Sequence, residues 1–193
     1  MSRLATAFVL GYHGCERSVA EKAVDGEIDL LQSDKSYDWL GPGAYFWESD
    51  PQRAWEWSKS RNYREPAVVG AVIDLRNCLD LLNREDIEIV RSAHASFMRA
   101  RQKAGLPIPE NKPAASGREE DRVIRLLDCA VLRHLHEIID RRGLEAYDTV
   151  RAMFREGGEL YAGSGFHEQT HTQVAVRNSD CILGLFWPRP YPG

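Results

Sequence analysis

Gly41-Pro42-Gly43-Ala44-Tyr45-Phe46-Trp47 sets two glycines and a proline directly before a run of small apolar and aromatic residues. Proline and glycine punctuate a chain into turns, whereas aromatic residues suit a pleated, half-buried surface. The stretch therefore predicts a loop that ends at Gly43 and a strand over 44–47. Upstream, Leu31 to Gly43 carries Ser33, Asp34, Ser36 and Asp38 and extends that loop backwards. Downstream, Asp50 is placed to cap a helix with Pro51 at its first position, running to about Arg61. Ala67 to Leu75 (AVVGAVIDL) is an apolar run of strand length and predicts a buried strand. Phe8 to Tyr12 predicts a shorter strand broken by Gly14. Ser18 to Asp25 predicts a helix, with Ser18 as N-cap and Glu21 in the capping-box position.

Farther along, Asp86 to about Lys103 predicts one helix, and Gly105 to Gly117, with Pro107, Pro109 and Pro113, predicts a loop. From Glu119 the apolar positions Val123, Leu126, Leu127, Ala130 and Val131 follow helical spacing, and Gly143 stops that helix behind Arg141 and Arg142. Gly157, Gly158, Gly163 and Gly165 make a glycine-rich loop. Thr172 to Arg177 alternates as a strand, and Cys181 to Phe186 predicts another. Strands at both ends and a helical segment over about 85–155 between them predict one α+β domain over 1–193 rather than a regular βαβ wind.

Composition narrows the possibilities. The chain has 193 residues, 43% of them hydrophobic and 28% charged, which argues for a folded domain. A net charge of −4 excludes a cationic coat over the whole surface but leaves room for a local basic patch. Residues 84–155 carry a small cationic excess, read as solvated helix faces. No apolar run approaches the roughly 20 residues that cross a bilayer, so no membrane partner is expected. The N-terminal residues lack a secretory-signal pattern. Cys15, Cys78, Cys129 and Cys181 are scattered without paired spacing, which fits a reducing compartment. The expected location is cytoplasmic.

Three constellations could carry chemistry. Tyr12-His13-Gly14 ends the first strand and offers an imidazole beside an unobstructed backbone. The Trp39–Trp47 stretch, with Arg53-Ala54-Trp55-Glu56-Trp57 after it, suits either a core or a pocket for a flat ring. Glu168-Gln169-Thr170-His171-Thr172-Gln173-Val174-Ala175-Val176 opens a buried strand with polar side chains after the glycine-rich loop. A fourth match, His167-Glu168-Gln169-Thr170-His171, has the H-E-x-x-H spacing of zinc proteases, but that chemistry needs both histidines on one helix face. Glycines precede this match and a β-alternating run follows it, so a zinc hydrolase is the weakest reading and no metal ligands are assigned. His134 and His136 lie two apart on a helix and do not form a ligand pair. Arg151 and Asn111 are assigned surface roles rather than substrate contacts.

The first three constellations together resemble the motifs of the ADP-ribosyltransferase superfamily, of the diphtheria-toxin and poly(ADP-ribose) polymerase type. That family has a His on the first strand, a Tyr on the second, and a Glu, Asp or Gln opening a later one. His13-Gly14 resembles the first motif, Gly41-Pro42-Gly43-Ala44-Tyr45-Phe46 the second, and Gln173-Val174-Ala175-Val176 the third. The helix with Arg53-Ala54 stands where the family has its Ser-x-Ala helix. About thirty residues separate the first two motifs and a long stretch leads to the third. The helical middle lies outside the resemblance.

The resemblance implies an α+β fold with a split antiparallel sheet around a cleft for NAD, which is the substrate. It implies catalytic roles for His13, Tyr45 and Gln173, and binding of the dinucleotide by His13, Gly14, Gly43, Tyr45 and Trp55. Nicotinamide would stack on Tyr45, the Gly14 backbone would hold its carboxamide, His13 would bond an adenosine ribose hydroxyl, and the loop 31–40 would lie over the dinucleotide. The expected activity is mono-ADP-ribosyl transfer to a macromolecular acceptor, protein or nucleic acid. A toxin or defence effector with a neutralising partner protein fits by analogy. Gln173 departs from the carboxylate form, because an amide orients a hydroxyl but cannot act as a base. Glu168 is then the nearest carboxylate in sequence, with Glu156 and Glu159 beside it. The alternative is an NAD-binding module or NAD glycohydrolase without transfer.

Overall fold

The computed structural model describes residues 8–115 and 118–191. Residues 1–7, where the N-terminal reading begins, and Gly117 at the end of the proline-rich loop lie outside them. The chain is mixed α+β, and its mostly antiparallel seven-stranded sheet runs β4-β7-β8-β2-β1-β3-β9. In chain order the elements are β1 (Phe8–Glu16), α1 (Arg17–Val24), β2 (Ala44–Glu48), α2 (Pro51–Lys59), β3 (Pro66–Asp74), β4 (Cys78–Asp80) and α3 (Arg84–Lys103). They continue with β5 (Asn111–Lys112), β6 (Ile124–Arg125), α4 (Leu126–Arg141), β7 (Thr149–Phe154), β8 (His171–Val176) and β9 (Ile182–Phe186). β5 and β6 form a separate two-stranded ribbon, and β4 is the parallel exception, against β7. No described helix is long and apolar enough to cross a membrane.

Alternation along the strands sends one set of side chains to each face. One face buries Phe46, Ile73, Val174 and Val176 with Ala23 of α1. On the other face α2 covers β1 and β3 through Ala54 and Val68. There α3 and α4 cover the β7–β8 end through Phe97, Leu132, Leu135 and Val150. The polar end of β8 is left between these two helical covers.

Several boundaries differ from the sequence reading. β1 runs through Gly14, paired with Val68, instead of breaking there; the glycine serves close packing, since a Cβ would collide with the Ala54 carbonyl of α2. This glycine lets a helix approach the strand. α1 starts at Arg17 with Glu16 as N-cap and no side-chain capping bond, so Ser18 is not the cap. Glu16 instead accepts from the Arg64 and Glu65 amides at 2.9 and 2.8 Å. α4 begins at Leu126, not Glu119: residues 119–121 form a 3-10 turn, and Arg122 takes a left-handed φ of 43°. The helical segment is shorter than 85–155, because Thr149–Phe154 is a sheet strand between β4 and β8. Its sequence, Thr-Val-Arg-Ala-Met-Phe, alternates imperfectly, because the exposed Met153 puts an apolar residue on the face that Thr149 and Arg151 share. α2 keeps the anticipated start, with Asp50 accepting from the Arg53 amide at 2.9 Å.

Candidate active site

Topology brings the three quoted motifs onto neighbouring strands, in the order β8-β2-β1. The register sets Gln173 opposite Trp47 and Tyr12 opposite Trp47 from the other side. These three residues share one sheet face. Trp47, rather than Tyr45, is thus the aromatic partner of Gln173. β1 and β2 pair only at Gly11–Glu48 and Tyr12–Trp47, after which they part.

Gln173 and His171 are buried neighbours on β8. The His171 Nδ1 lies 2.8 Å from the Gln169 carbonyl, which only accepts, so Nδ1 carries the proton. Burial pushes the His171 pKa down, keeping the ring neutral and its Nε2 an acceptor. Gln173 must then donate its amide N–H to Nε2 across 3.0 Å. Its Oε1 is left as the acceptor for something else. Beside this pair, Glu156 is only 5% exposed; its Oε2 accepts from Arg53 Nη2 at 2.6 Å and lies 3.6 Å from His171 Nδ1.

An aromatic wall encloses this polar cluster. Trp39 lies nearly parallel to His171 with ring centroids 6.0 Å apart, and Phe154 is 4.6 Å from Trp39. Trp47 is 6.5 Å from His171. Trp39 is held from outside: its Nε1 donates to the Val123 carbonyl at 2.6 Å, and the Arg125 guanidinium lies 4.4 Å from its ring centroid. Three buried donors, Trp47 Nε1, Arg53 Nε and Arg125 Nε, have no hydrogen-bond partner. Such a set suits a ligand rich in acceptor oxygens, since an unpaired buried donor carries its full desolvation cost.

The remaining predicted residues are distributed around this cluster. His13 points to the opposite face, where its ring is 5.7 Å from Phe46, and Nδ1 reaches the Tyr45 carbonyl at 2.8 Å. It bridges the two strands just where their ladder ends. The carbonyl again makes Nδ1 the donor, burial lowers the pKa, and Nε2 is left as the acceptor. Tyr45 shares the Gln173 face but packs against the helical layer. Its hydroxyl donates to the Gly41 carbonyl at 2.6 Å and accepts from the Leu40 amide at 2.8 Å. Burial pushes its pKa well above the usual phenol value. Gly43 lies against β8, where a Cβ would press on the Val176 carbonyl at 2.9 Å. Trp55 packs against the cluster of Trp47, Ala54 and Val68 and meets Tyr191 edge-on at 6.0 Å. His13, Gly14, Gly43 and Trp55 therefore surround the Gln173 cluster rather than enter it.

Of the carboxylates named beside the third motif, Glu156 is the one that the fold carries into the cluster. Glu168 is exposed and accepts from the Gly158 amide at 3.2 Å, and Glu159 accepts from the Gly163 amide at 2.8 Å. Both close their own loop. The HEQTH segment is a turn running into β8, so His167 and His171 do not share a helix face. His167 bonds the Gly157 carbonyl at 3.0 Å. No group of three or more metal-ligating side chains occurs among the described residues. Arg151 faces the opposite side of the sheet, paired with Glu48 at 2.6 Å and Asp80 at 3.0 Å. Asn111 is a helix cap: its Oδ1 accepts from the Leu127 and Asp128 amides at 2.9 and 3.3 Å. Trp39 opens the glycine–aromatic stretch of the sequence, whereas Arg125 carries no site reading there. Only their packing on Phe154 and His171 brings them into the cluster.

No family model matches the chain, and no curated protein or solved structure matches it either.

Proposed function

We propose that this chain is an NAD-dependent mono-ADP-ribosyltransferase, built on the split-sheet fold that its motifs resemble. The observation that carries the reading is the set of buried, unpaired donors: Trp47 Nε1 opposite Gln173, Arg53 Nε in the side chain that holds Glu156, and Arg125 Nε behind Trp39. NAD offers pyrophosphate, ribose and carboxamide oxygens to such donors, and its two rings suit the aromatic wall. The adjacency of β8, β2 and β1 and the parting of β1 from β2 beyond Tyr12 are further support.

In this reading the ribose C1′–nicotinamide N bond breaks and its electron pair leaves on nicotinamide. Positive charge then grows on the ribose, as in glycoside cleavage. Gln173 Oε1 accepts from the ribose 2′-hydroxyl and orients the sugar. Glu156 supplies the negative charge that Gln173 lacks. The acceptor's hydroxyl or amine attacks C1′ and passes its proton to that carboxylate. His13 Nε2 accepts a hydroxyl of the adenosine ribose from the other side of the strand gap.

The experiment is incubation with NAD labelled in the adenylate half, following nicotinamide release and label transfer to lysate macromolecules. Both should occur, and NAD alone should raise the melting temperature, because a ligand that binds only the native state stabilises it. No thermal shift and no nicotinamide release would overturn the reading. Glutamine at position 173 favours one second reading, hydrolysis or binding of NAD without transfer. Nicotinamide release without label transfer would select it.

A further inference from the structure

Beyond the Gln173 cluster, rings and cations alternate over the C-terminal end of α2. On one side Trp55 lies 6.0 Å from Tyr191, and Tyr191 lies 6.2 Å from Trp187. Lys59 stands over Trp55 at 5.6 Å and Arg17 over Trp187 at 5.8 Å. On the other side Trp57 is 6.4 Å from Tyr63, with Arg61 over Trp57 at 4.4 Å. Tyr191 is anchored on the sheet, since its hydroxyl accepts from the Val68 amide of β3 at 2.8 Å. A groove of about 400 Å³ opens there, lined by Arg17, Trp187, Pro188, Arg189 and Tyr191.

The nearby carboxylates are mostly committed. Glu16 holds the Arg64 and Glu65 amides, Glu21 pairs with Arg17 at 3.0 Å, and Glu56 pairs with Arg53 at 3.5 Å. Glu21, Glu56 and Glu65 are exposed, the first two in those ion pairs, so Glu65 is set against exposed Lys59, Arg61, Arg64 and Arg189. The patch is thus locally cationic on a chain whose net charge is −4.

We propose that this face binds single-stranded nucleic acid. Every base has a flat face that stacks on Trp or Tyr, or on a guanidinium plane that already lies over a ring, as Arg61 lies over Trp57, and the cations also meet the phosphates. A duplex keeps its bases stacked inside and cannot use the rings. An acidic peptide would meet the cations but leave the rings without flat partners. Trp57 is 5.7 Å from Trp47, which stands opposite Gln173, so a strand on the Trp57 side ends beside the candidate site. The strand is therefore also assigned as the acceptor class, a step that rests on the transfer reading above.

The test measures fluorescence anisotropy of labelled oligothymidine and oligouridine 12-mers, without NAD, at 50 and 200 mM salt. Single strands should bind, and affinity should fall as salt rises, because phosphate contacts release counterions. Lys59→Glu and Arg61→Glu, both exposed, should keep the wild-type circular dichroism spectrum and each weaken binding by about tenfold or more. Tyr63→Ala should weaken it by about 5- to 100-fold through lost stacking. No binding of either strand at 50 mM salt, unchanged binding by both charge reversals, or equal binding of a polyglutamate peptide would each overturn the proposal. Because NAD is absent, those failures leave the transfer reading standing. With labelled NAD added to the bound strand, nuclease-sensitive label supports the acceptor role, and label removed only by protease overturns it.

Discussion

Gln173 can fix a hydroxyl in place but holds no titratable proton, so in the proposed transfer the charge falls to Glu156, 5% exposed and paired with Arg53. Gln173→Ala should slow transfer by roughly 10- to 1000-fold, the scale of losing one preorganised polar partner. NAD affinity should fall less, because the contact gains strength as charge develops. Glu156→Gln should slow transfer similarly while its shape stays near native; a single-turnover assay reads both. Wild-type rates in Gln173→Ala would detach the third motif from this strand. The Tyr45 hydroxyl has another task. It closes the turn at Leu40 and Gly41, so Tyr45→Phe should cost about 1–3 kcal/mol in urea unfolding through two lost partners. NAD-induced stabilisation should survive in that variant if the ring face, not the hydroxyl, meets the dinucleotide.

At the scale of elements, the difference between local and remote signals decides what could be read. The α2 start was legible because Asp50 and Pro51 adjoin the helix that they begin. The α4 start was not, because its cap, Asn111, sits 16 residues ahead of Leu127 and reaches it through the β5–β6 ribbon. An apolar stripe from Glu119 counts helical spacing but is blind to a chain that turns left-handed at Arg122. Asn111→Ala should destabilise the protein by about 1 kcal/mol, as loss of a cap does. Chemical denaturation followed by circular dichroism measures this. Asp50→Ala should cost a similar amount and also loosen Arg53, one turn away from the cap; a larger loss of transfer than of stability would separate the two effects.

For the whole molecule, three histidines share one consequence. Burial pushes His13, His136 and His171 toward the neutral form, His136 down to about 3. The unfolded chain takes up these protons near pH 6.5, whereas the folded one does not. Stability is therefore full above about pH 6.5 and drains as pH falls toward the folded values, by roughly 1.4 kcal/mol per pH unit for each such group. The urea midpoint should drop between pH 7 and pH 5. His136 is 5% exposed and has no partner for either ring nitrogen, so His136→Leu should flatten that slope by about one proton. An unchanged slope would place the acid sensitivity elsewhere.

The sequence by itself determined the mixed α+β class, the strands over 44–47 and 67–75, the α2 cap and the polar opening of β8. Each rests on neighbours within one turn or one strand, where propensity and alternation act directly. Tertiary structure alone decided that β7 joins the sheet, that Trp47 faces Gln173 and that His13 turns to the opposite face. It also chose Glu156 over Glu168 and set Arg125 on Trp39. The reason is physical: register and burial follow from which apolar surfaces meet across the sheet, and the partners are remote in sequence, 32 residues for His13 and Tyr45 and 103 for Arg53 and Glu156. A carboxylate five residues from Gln173 can close its own loop, while one seventeen residues away is carried in just beyond the end of β7.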